Sequence, residues 1–142
     1  MPTRSQRNKA IMKRFWTDAF GDIDGAVDRT IDPDWVDHDA SPGQPGGAEG
    51  FKWTLRRLKA SFPDVRHLPM ELLADGDKVV APWTIEGTHT QPYGDLAPTG
   101  RRFSVSGIQI DRLGDGLVVE SWNHSSGEGI YAQLTKPGTK SA

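Results

Sequence analysis

The chain has 142 residues, of which 35% are hydrophobic and 25% charged, and its formal net charge is −2 with acidic and basic residues interleaved. This balance provides no basic face for nucleic acid or an anionic membrane, and no window approaches the roughly 20 apolar residues of a membrane span. The N-terminus lacks the apolar segment of a secretory signal, and the absence of cysteine excludes disulfides, thiolate nucleophiles and cysteine-rich zinc sites.

Helical periodicity predicts three helices in the first half of the chain, at residues 5–20, 23–30 and 48–61. In the first, Ile11, Phe15 and Ala19 recur at a spacing of four and form one apolar stripe. Asp22 is an N-cap for the second helix, and Pro63 closes the third. A short mixed segment at residues 35–39 leads into a surface loop at residues 41–47, which is rich in proline and glycine.

Strand patterns dominate the second half of the chain and predict strands at residues 67–74, 78–90, 101–113 and 117–124. Asp75-Gly76-Asp77 and Gly114-Asp115-Gly116 are predicted to be tight hairpin turns, because Asp-Gly pairs suit the backbone twist of such turns. A proline- and glycine-rich loop fills residues 91–100, and a short helix is predicted at residues 129–134.

Helices followed by a meander of antiparallel strands indicate an α+β fold, with the helices packed on one face of a curved sheet. A sheet that curves strongly under helices encloses an interior, and such interiors are common ligand sites. We expect one domain over residues 1–142, with an ordered core at about 5–134 and a polar tail at 135–142. The expected location is the cytoplasm.

A set of short motifs runs in a fixed order from about residue 8 to residue 134. They include Asn8-Lys9-Ala10-Ile11, Val36-Asp37-His38-Asp39, Gly87-Thr88-His89-Thr90, Ser106-Gly107-Ile108 and Glu120-Ser121-Trp122-Asn123-His124. The ordered set resembles the SnoaL-like polyketide cyclases of the nuclear transport factor 2-like superfamily. The resemblance implies a cone-shaped α+β barrel around a pocket. It also implies ring closure by intramolecular aldol condensation, without a metal or an organic cofactor.

The sequence departs from the family pattern at one position. In the resembled cyclases an acid/base aspartate lies four residues after the tryptophan of the closing strand. Here that tryptophan is Trp122, so the matching position is Ser126. A serine hydroxyl does not accept a proton usefully near neutral pH unless a neighbouring base activates it.

Histidines are the alternative acid/base candidates. Because strand side chains alternate, Trp122, His124 and Ser126 should share one face, and the resemblance implies that this face lies inside the cone. His124 is therefore the leading catalytic candidate, since imidazole titrates near pH 6.5. His89 and His38 are expected to assist. For each of these histidines a purely structural role is the competing interpretation, and His67 is expected to be ordinary surface.

Candidate substrate-binding residues are those expected to wall the pocket or to stabilise an enolate oxygen, namely Trp122, Ser126, Trp83, Gln109, Trp35 and Tyr93. Asn123 is a further possible donor, although it should face away from His124. No metal is expected, because His-Glu-x-x-His pairs and cysteine ligands are absent. The expected partners are a small aromatic or polyketide-like substrate and a second copy of the chain, with neither nucleic acid nor membrane.

Three functions stay open at this stage. The first is a cofactor-free cyclase or isomerase that transfers protons on a polyketide-like carbonyl compound. The second is a hydroxylase-like protein that orients an aromatic substrate for oxygen, and the third is a non-catalytic binding protein. Oxygen dependence separates the first two, and proton exchange on a bound ligand identifies catalysis.

Overall fold

A computed structural model describes residues 1–137 as four helices and six strands. The helices are α1 (Arg4–Asp18), α2 (Ile23–Thr30), α3 (Ala48–Ser61) and α4 (Ile130–Thr135). The strands are β1 (Ile31–Asp37), β2 (Arg66–His67), β3 (Leu73–Asp75), β4 (Lys78–Thr88), β5 (Arg102–Gly114) and β6 (Leu117–Ser126). Of the predicted polar tail, residues 138–142 lie outside the described part.

The six strands form one open, mixed sheet in the order β1-β6-β5-β4-β2, with β3 also pairing with β4. β1 runs parallel to β6, and the other pairings are antiparallel. The prediction of an α+β fold with helices on a mainly antiparallel sheet is confirmed. The sheet is not closed, which agrees with the expected cone-shaped fold.

Local signals set several of the element ends. Thr3 and Gln6 form a capping box at the start of α1, and Asp22 caps α2 by accepting from the backbone N–H of Gly25. Both hairpin predictions are confirmed, with positive φ angles of 62° at Gly76 and 81° at Gly116. In the described part of the chain, no helix has the length and apolar character needed to cross a membrane.

One predicted strand was wrong and one strand was missed. The predicted strand at residues 67–74 is broken into β2 and β3, because Pro69 lacks the N–H that would continue the pairing with β4. β1 was not predicted: it spans residues 31–37, and only its last three residues fall within the short mixed segment expected at residues 35–39. Pro33 is tolerated there because β1 is an edge strand, with irregular register between Ile31 and Val36.

The core consists of two hydrophobic clusters. The larger joins α1, α2 and α3 to the sheet, and Phe15 of α1 meets Phe51 of α3 edge-on at 5.2 Å between ring centroids. The smaller surrounds Phe62 and Phe103, whose ring centroids are 4.5 Å apart. The cavity described below is lined by members of both clusters.

Candidate active site

A cavity of about 130 Å³ lies between the helices and the inner face of the sheet. Its apolar wall is largely aromatic and includes Trp16, Phe20, Trp35, Phe51 and Trp83. Its polar lining residues are Asp37, Thr54, His67, Gln109, Ser121 and Asn123. Trp35, Trp83 and Gln109 were predicted to line the pocket, and the structure places all three there.

Trp83 and Asn123 are joined across the central strand β5. Trp83 pairs with Gly107, where a Cβ atom would lie 2.4 Å from the indole carbon Cζ2, so glycine makes room for the indole. The indole N–H of Trp83 then donates to Asn123 Oδ1 at 2.9 Å. Because Oδ1 is occupied, the hydrogens on Asn123 Nδ2 are the amide donors available to a molecule in the cavity.

A second hydrogen-bond network, centred on Asp111, holds polar side chains of the cavity wall in place. Asp111 Oδ1 accepts hydrogen bonds from Gln109 Nε2 at 2.8 Å and from the Ser121 hydroxyl at 2.5 Å. The Ser121 oxygen in turn accepts from the indole N–H of Trp35 at 2.9 Å. The Gln109 amide nitrogen donates to Asp111, and the Gln109 amide oxygen is left to accept a hydrogen bond.

Asp111 is fully buried, and its Oδ2 atom has no hydrogen-bond partner among the described residues. Burial raises the pKa of Asp111 to about 6, against the opposing effect of the bonds from Ser121 and Gln109. The negative charge of Asp37 raises this pKa further. The carboxylates of Asp37 and Asp111 therefore make this end of the cavity electronegative.

Asp37 is the last residue of β1. Among the described residues that line the cavity, it is the only one with a carboxyl side chain. Its Oδ1 atom accepts from the backbone N–H of Asp39, and its Oδ2 accepts from Gln44 Nε2, both at 2.9 Å. A carboxylate has about four acceptor positions, so it can still accept a proton from a ligand. Asp37 was not among the predicted site residues and entered the sequence analysis only as part of the motif Val36-Asp37-His38-Asp39.

His67 also lines the cavity, which makes the prediction of ordinary surface wrong. Its ring stacks on Phe20 and meets Trp16 edge-on, both at 4.7 Å between centroids. Burial lowers the pKa of His67 to about 4, so the ring is neutral at pH 7. A neutral imidazole at this wall offers hydrogen bonds without adding positive charge.

The prediction that His124 faces the interior was wrong. In the sheet His124 pairs with Ile108, which is 51% exposed, whereas Asn123 pairs with the buried Gln109. Directly paired residues share a face, so His124 lies on the outer face and is exposed. Asn123 does face away from His124, as predicted, and this puts Asn123 inside.

Trp122 and Ser126 lie outside the cavity as well. Trp122 stacks on the ring of His38 at 4.8 Å between centroids, and His38 Nε2 lies 2.9 Å from a carboxylate oxygen of Glu120. The exposed hydroxyl of Ser126 donates to the carbonyl of Ser106. Trp122, Ser126 and His38 thus belong to the outer surface.

His89 is fully buried at a third place, beneath the loop that follows β4. Its Nδ1 atom accepts from the backbone N–H of Thr99 at 3.0 Å, and its ring lies edge-on to Phe62. The three predicted catalytic histidines are therefore not brought together. Within residues 1–137, no three or more metal-ligating side chains gather in one group.

An outer cleft of about 320 Å³ continues the cavity toward solvent. The two spaces share the lining residues Thr54, Leu58, Trp83 and Ile85. Tyr93, predicted to wall the pocket, lines this outer part together with Trp53, Arg57 and Ser125. Ser41 of the proline- and glycine-rich loop also lines the cleft, while Gln44 of the same loop holds Asp37.

The family model for SnoaL-like polyketide cyclases matches residues 10–134. The chain belongs to this family. Its SnoaL-like fold is shared with TsrD from Streptomyces laurentii, at 27% identity and a TM-score of 0.80 over 95% of this chain and 98% of that one. It is also shared with wild-type IdmH from Streptomyces antibioticus, at 30% identity and a TM-score of 0.73 over 89% and 97% of the two chains.

A curated relative of this SnoaL-like chain is the aklanonic acid methyl ester cyclase DnrD from Streptomyces peucetius. The two sequences are 32% identical over 92 residues. The matched segment covers 64% of this chain and 63% of that relative, which is less than two thirds of its length.

Proposed function

We propose that this SnoaL-like protein is a cofactor-free cyclase that closes a ring in a polyketide-like carbonyl compound by intramolecular aldol condensation. One observation carries the proposal. A carboxylate, Asp37, and an amide donor held in one direction, Asn123, line the same aromatic-walled cavity. Proton removal from carbon needs both a base and a donor that stabilises the resulting enolate oxygen.

Asp37 is the proposed base. Its carboxylate takes a proton from a substrate carbon flanked by two carbonyls, which is acidic enough for a weak, positioned base. The electron pair left on carbon spreads onto the adjacent carbonyl oxygen, which accepts hydrogen bonds from Asn123 Nδ2. The Trp83 bond holds that amide in place beforehand, so little reorganisation is needed as the charge develops.

Ring closure completes the proposed sequence. The enolate carbon attacks a second carbonyl carbon of the same molecule, forming the new carbon–carbon bond. The oxygen of that carbonyl becomes an alkoxide and takes back the proton that Asp37 holds. Atoms and charges balance without an oxidant or a cofactor.

This mechanism accounts for serine at position 126. The side chain of Ser126 lies on the outer surface and is not needed, because β1 supplies a carboxylate to the cavity from Asp37. His124, His89 and His38, the catalytic candidates of the sequence, are left outside the reacting groups because the structure places none of them in the cavity lining.

The proposed substrate is aromatic or polyketide-like. Trp35 and Trp83 provide flat walls on which a conjugated ring can stack. The relative DnrD, whose name specifies cyclisation of aklanonic acid methyl ester, supports the same class. The inner cavity alone is small for such a molecule, so the substrate would extend into the outer cleft.

The test is product formation from a panel of aromatic polyketide-type keto esters, in air and under nitrogen. Ring closure at equal rates under both gases supports the cyclase. Turnover that requires air favours a hydroxylase-like activity, and tight binding without any product favours a non-catalytic binding protein. Either of the last two results would contradict the proposal.

We also propose that two copies of the chain pair through the outer face of the sheet. Val36 and Ile108 on this surface are 49% and 51% exposed, which is high for large apolar side chains. Sedimentation over a dilution series should show a dimer at micromolar concentration. A monomer throughout would contradict the pairing, as would an Ile108→Glu variant that dimerises as well as the wild type.

A further inference from the structure

The outer cleft has an uneven distribution of charge. Of the described residues that line it, Arg57 is the one with a charged side chain. Within residues 1–137 no acidic side chain pairs with Arg57, whereas the adjacent Arg56 forms an ion pair with Asp24 of α2. Arg57 therefore brings an uncompensated positive charge to the mouth of the pocket.

The guanidinium of Arg57 is held by its neighbour on the same helix face. Trp53 and Arg57 lie four residues apart in α3, so their side chains are adjacent. The Arg57 guanidinium carbon lies 4.4 Å from the centre of the Trp53 ring. Stacking on an aromatic face leaves the edge of the guanidinium, which carries its N–H donors, available to a ligand.

The inner cavity has the opposite charge. Asp37 lines it, Asp111 lies behind its polar wall, and the neutral His67 adds no positive charge. A carboxylate placed there would be repelled by Asp37, whereas in the outer cleft it would be attracted by Arg57. An anionic ligand with one charged end is therefore expected to bind with that end outward.

We propose that Arg57 forms a carboxylate-binding subsite and that the substrate is a free acid rather than an ester at its outer end. The planar guanidinium can bind both carboxylate oxygens at once, while the dicarbonyl part of the molecule reaches Asp37 and Asn123. This inference rests on the proposed function in taking the inner cavity as the reacting end. The proposed free acid differs from the methyl ester in the name of the relative DnrD.

The experiment compares the binding of 2-naphthoic acid and its methyl ester by calorimetry, using the wild type, Arg57→Gln and Arg57→Lys. Arg56→Gln is the matched control, because it removes an adjacent exposed charge that faces α2. Arg57→Gln should weaken binding of the acid by about 5-fold or more and leave binding of the ester unchanged. Arg57→Lys should restore part of the loss, since it keeps the charge without the fork.

Salt provides an independent readout. Raising sodium chloride from about 50 to 500 mM should weaken binding of the acid to the wild type more than to Arg57→Gln, because salt screens exposed charges. The inference is overturned if Arg57→Gln binds the acid normally, if it loses acid and ester equally, or if Arg56→Gln loses as much. These experiments measure binding and not turnover. The Arg57 subsite can therefore be contradicted while esters are still cyclised, or supported while no compound is cyclised.

Discussion

The indole N–H of Trp83 on β4 reaches the side-chain oxygen of Asn123 on β6, 2.9 Å away, across the intervening strand β5. The bond exists because Gly107 of β5 has no side chain where the indole lies. A single glycine thereby sets the direction of the amide that the proposed mechanism uses for the enolate.

Replacing Gly107 with alanine should destabilise the fold. The added Cβ would lie 2.4 Å from Trp83 Cζ2 and 2.5 Å from the carbonyl oxygen of His124, so side chain or backbone must shift. The expected loss is roughly 1–3 kcal/mol in the free energy of unfolding, measured with urea. Gly46→Ala is the control, because its Cβ would meet nothing within 4 Å. Equal stability of the two variants would contradict this packing.

Asn123→Ala should lower the turnover number by about 100-fold or more, the size of effect seen when one donor to an oxyanion is removed. Trp83→Phe keeps the amide but removes the bond that orients it, so a smaller loss is expected. Steady-state kinetics with a cyclised substrate gives both values. A larger loss in Trp83→Phe than in Asn123→Ala would show that the tryptophan, and not the amide, supplies the main interaction.

Asp111 should make the protein less stable as the pH rises. Its folded pKa of about 6 is above the ordinary value of 3.8, so the folded state holds the proton more tightly than the unfolded state. The resulting stabilisation is complete below about pH 4 and is lost as the pH rises through 6. Raising the pKa of this carboxyl from 3.8 to about 6 corresponds to roughly 3 kcal/mol in the free energy of unfolding.

The matched variant is Asp111→Asn, which keeps the size of the side chain but does not titrate. Urea unfolding at pH 4 and pH 7 should show the stability of the variant rising relative to the wild type, by roughly 3 kcal/mol between the two values. The same change in the free energy of unfolding between pH 4 and pH 7 in both proteins would contradict the raised pKa of Asp111.

His124→Ala should leave turnover within about 2-fold of the wild type, because the ring lies on the outer face and His124 is not part of the cavity lining. Kinetics in dilute buffer, under conditions in which any dimer is retained, gives the measurement. A 100-fold loss of turnover would indicate a catalytic role for His124 and would contradict its position on the outer face of the sheet.

The bounds of α2 and α3 were predictable because their end signals are local. Asp22 caps one helix, and Pro63 follows the other. The two hairpin turns were predictable for the same reason, because each needs a residue with positive φ and glycine provides it. Because these local signals gave the order of helices and strands, they also predicted the α+β fold.

The interior of the site was less predictable, because alternation along β6 defines two faces without saying which is inside. The resemblance to the SnoaL-like cyclases indicated the face of Trp122, His124 and Ser126, which was wrong, and the ring of Trp122 is accommodated outside by stacking on His38. Asp37 reaches the cavity only through the parallel pairing of β1 with β6, and Pro33 obscured that strand. His67 was misjudged because Pro69, two residues later, indicated a strand start at the surface.

Asp37 is proposed to remove a proton from carbon inside the cavity, and deuterium incorporation in heavy water measures that step directly. Keto esters of the aromatic polyketide type would be incubated with the wild type, with Asp37→Asn and with His124→Ala. We expect exchange above background in the wild type and His124→Ala, and a loss of about 100-fold or more in Asp37→Asn. Exchange that survives in Asp37→Asn but disappears in His124→Ala would contradict it.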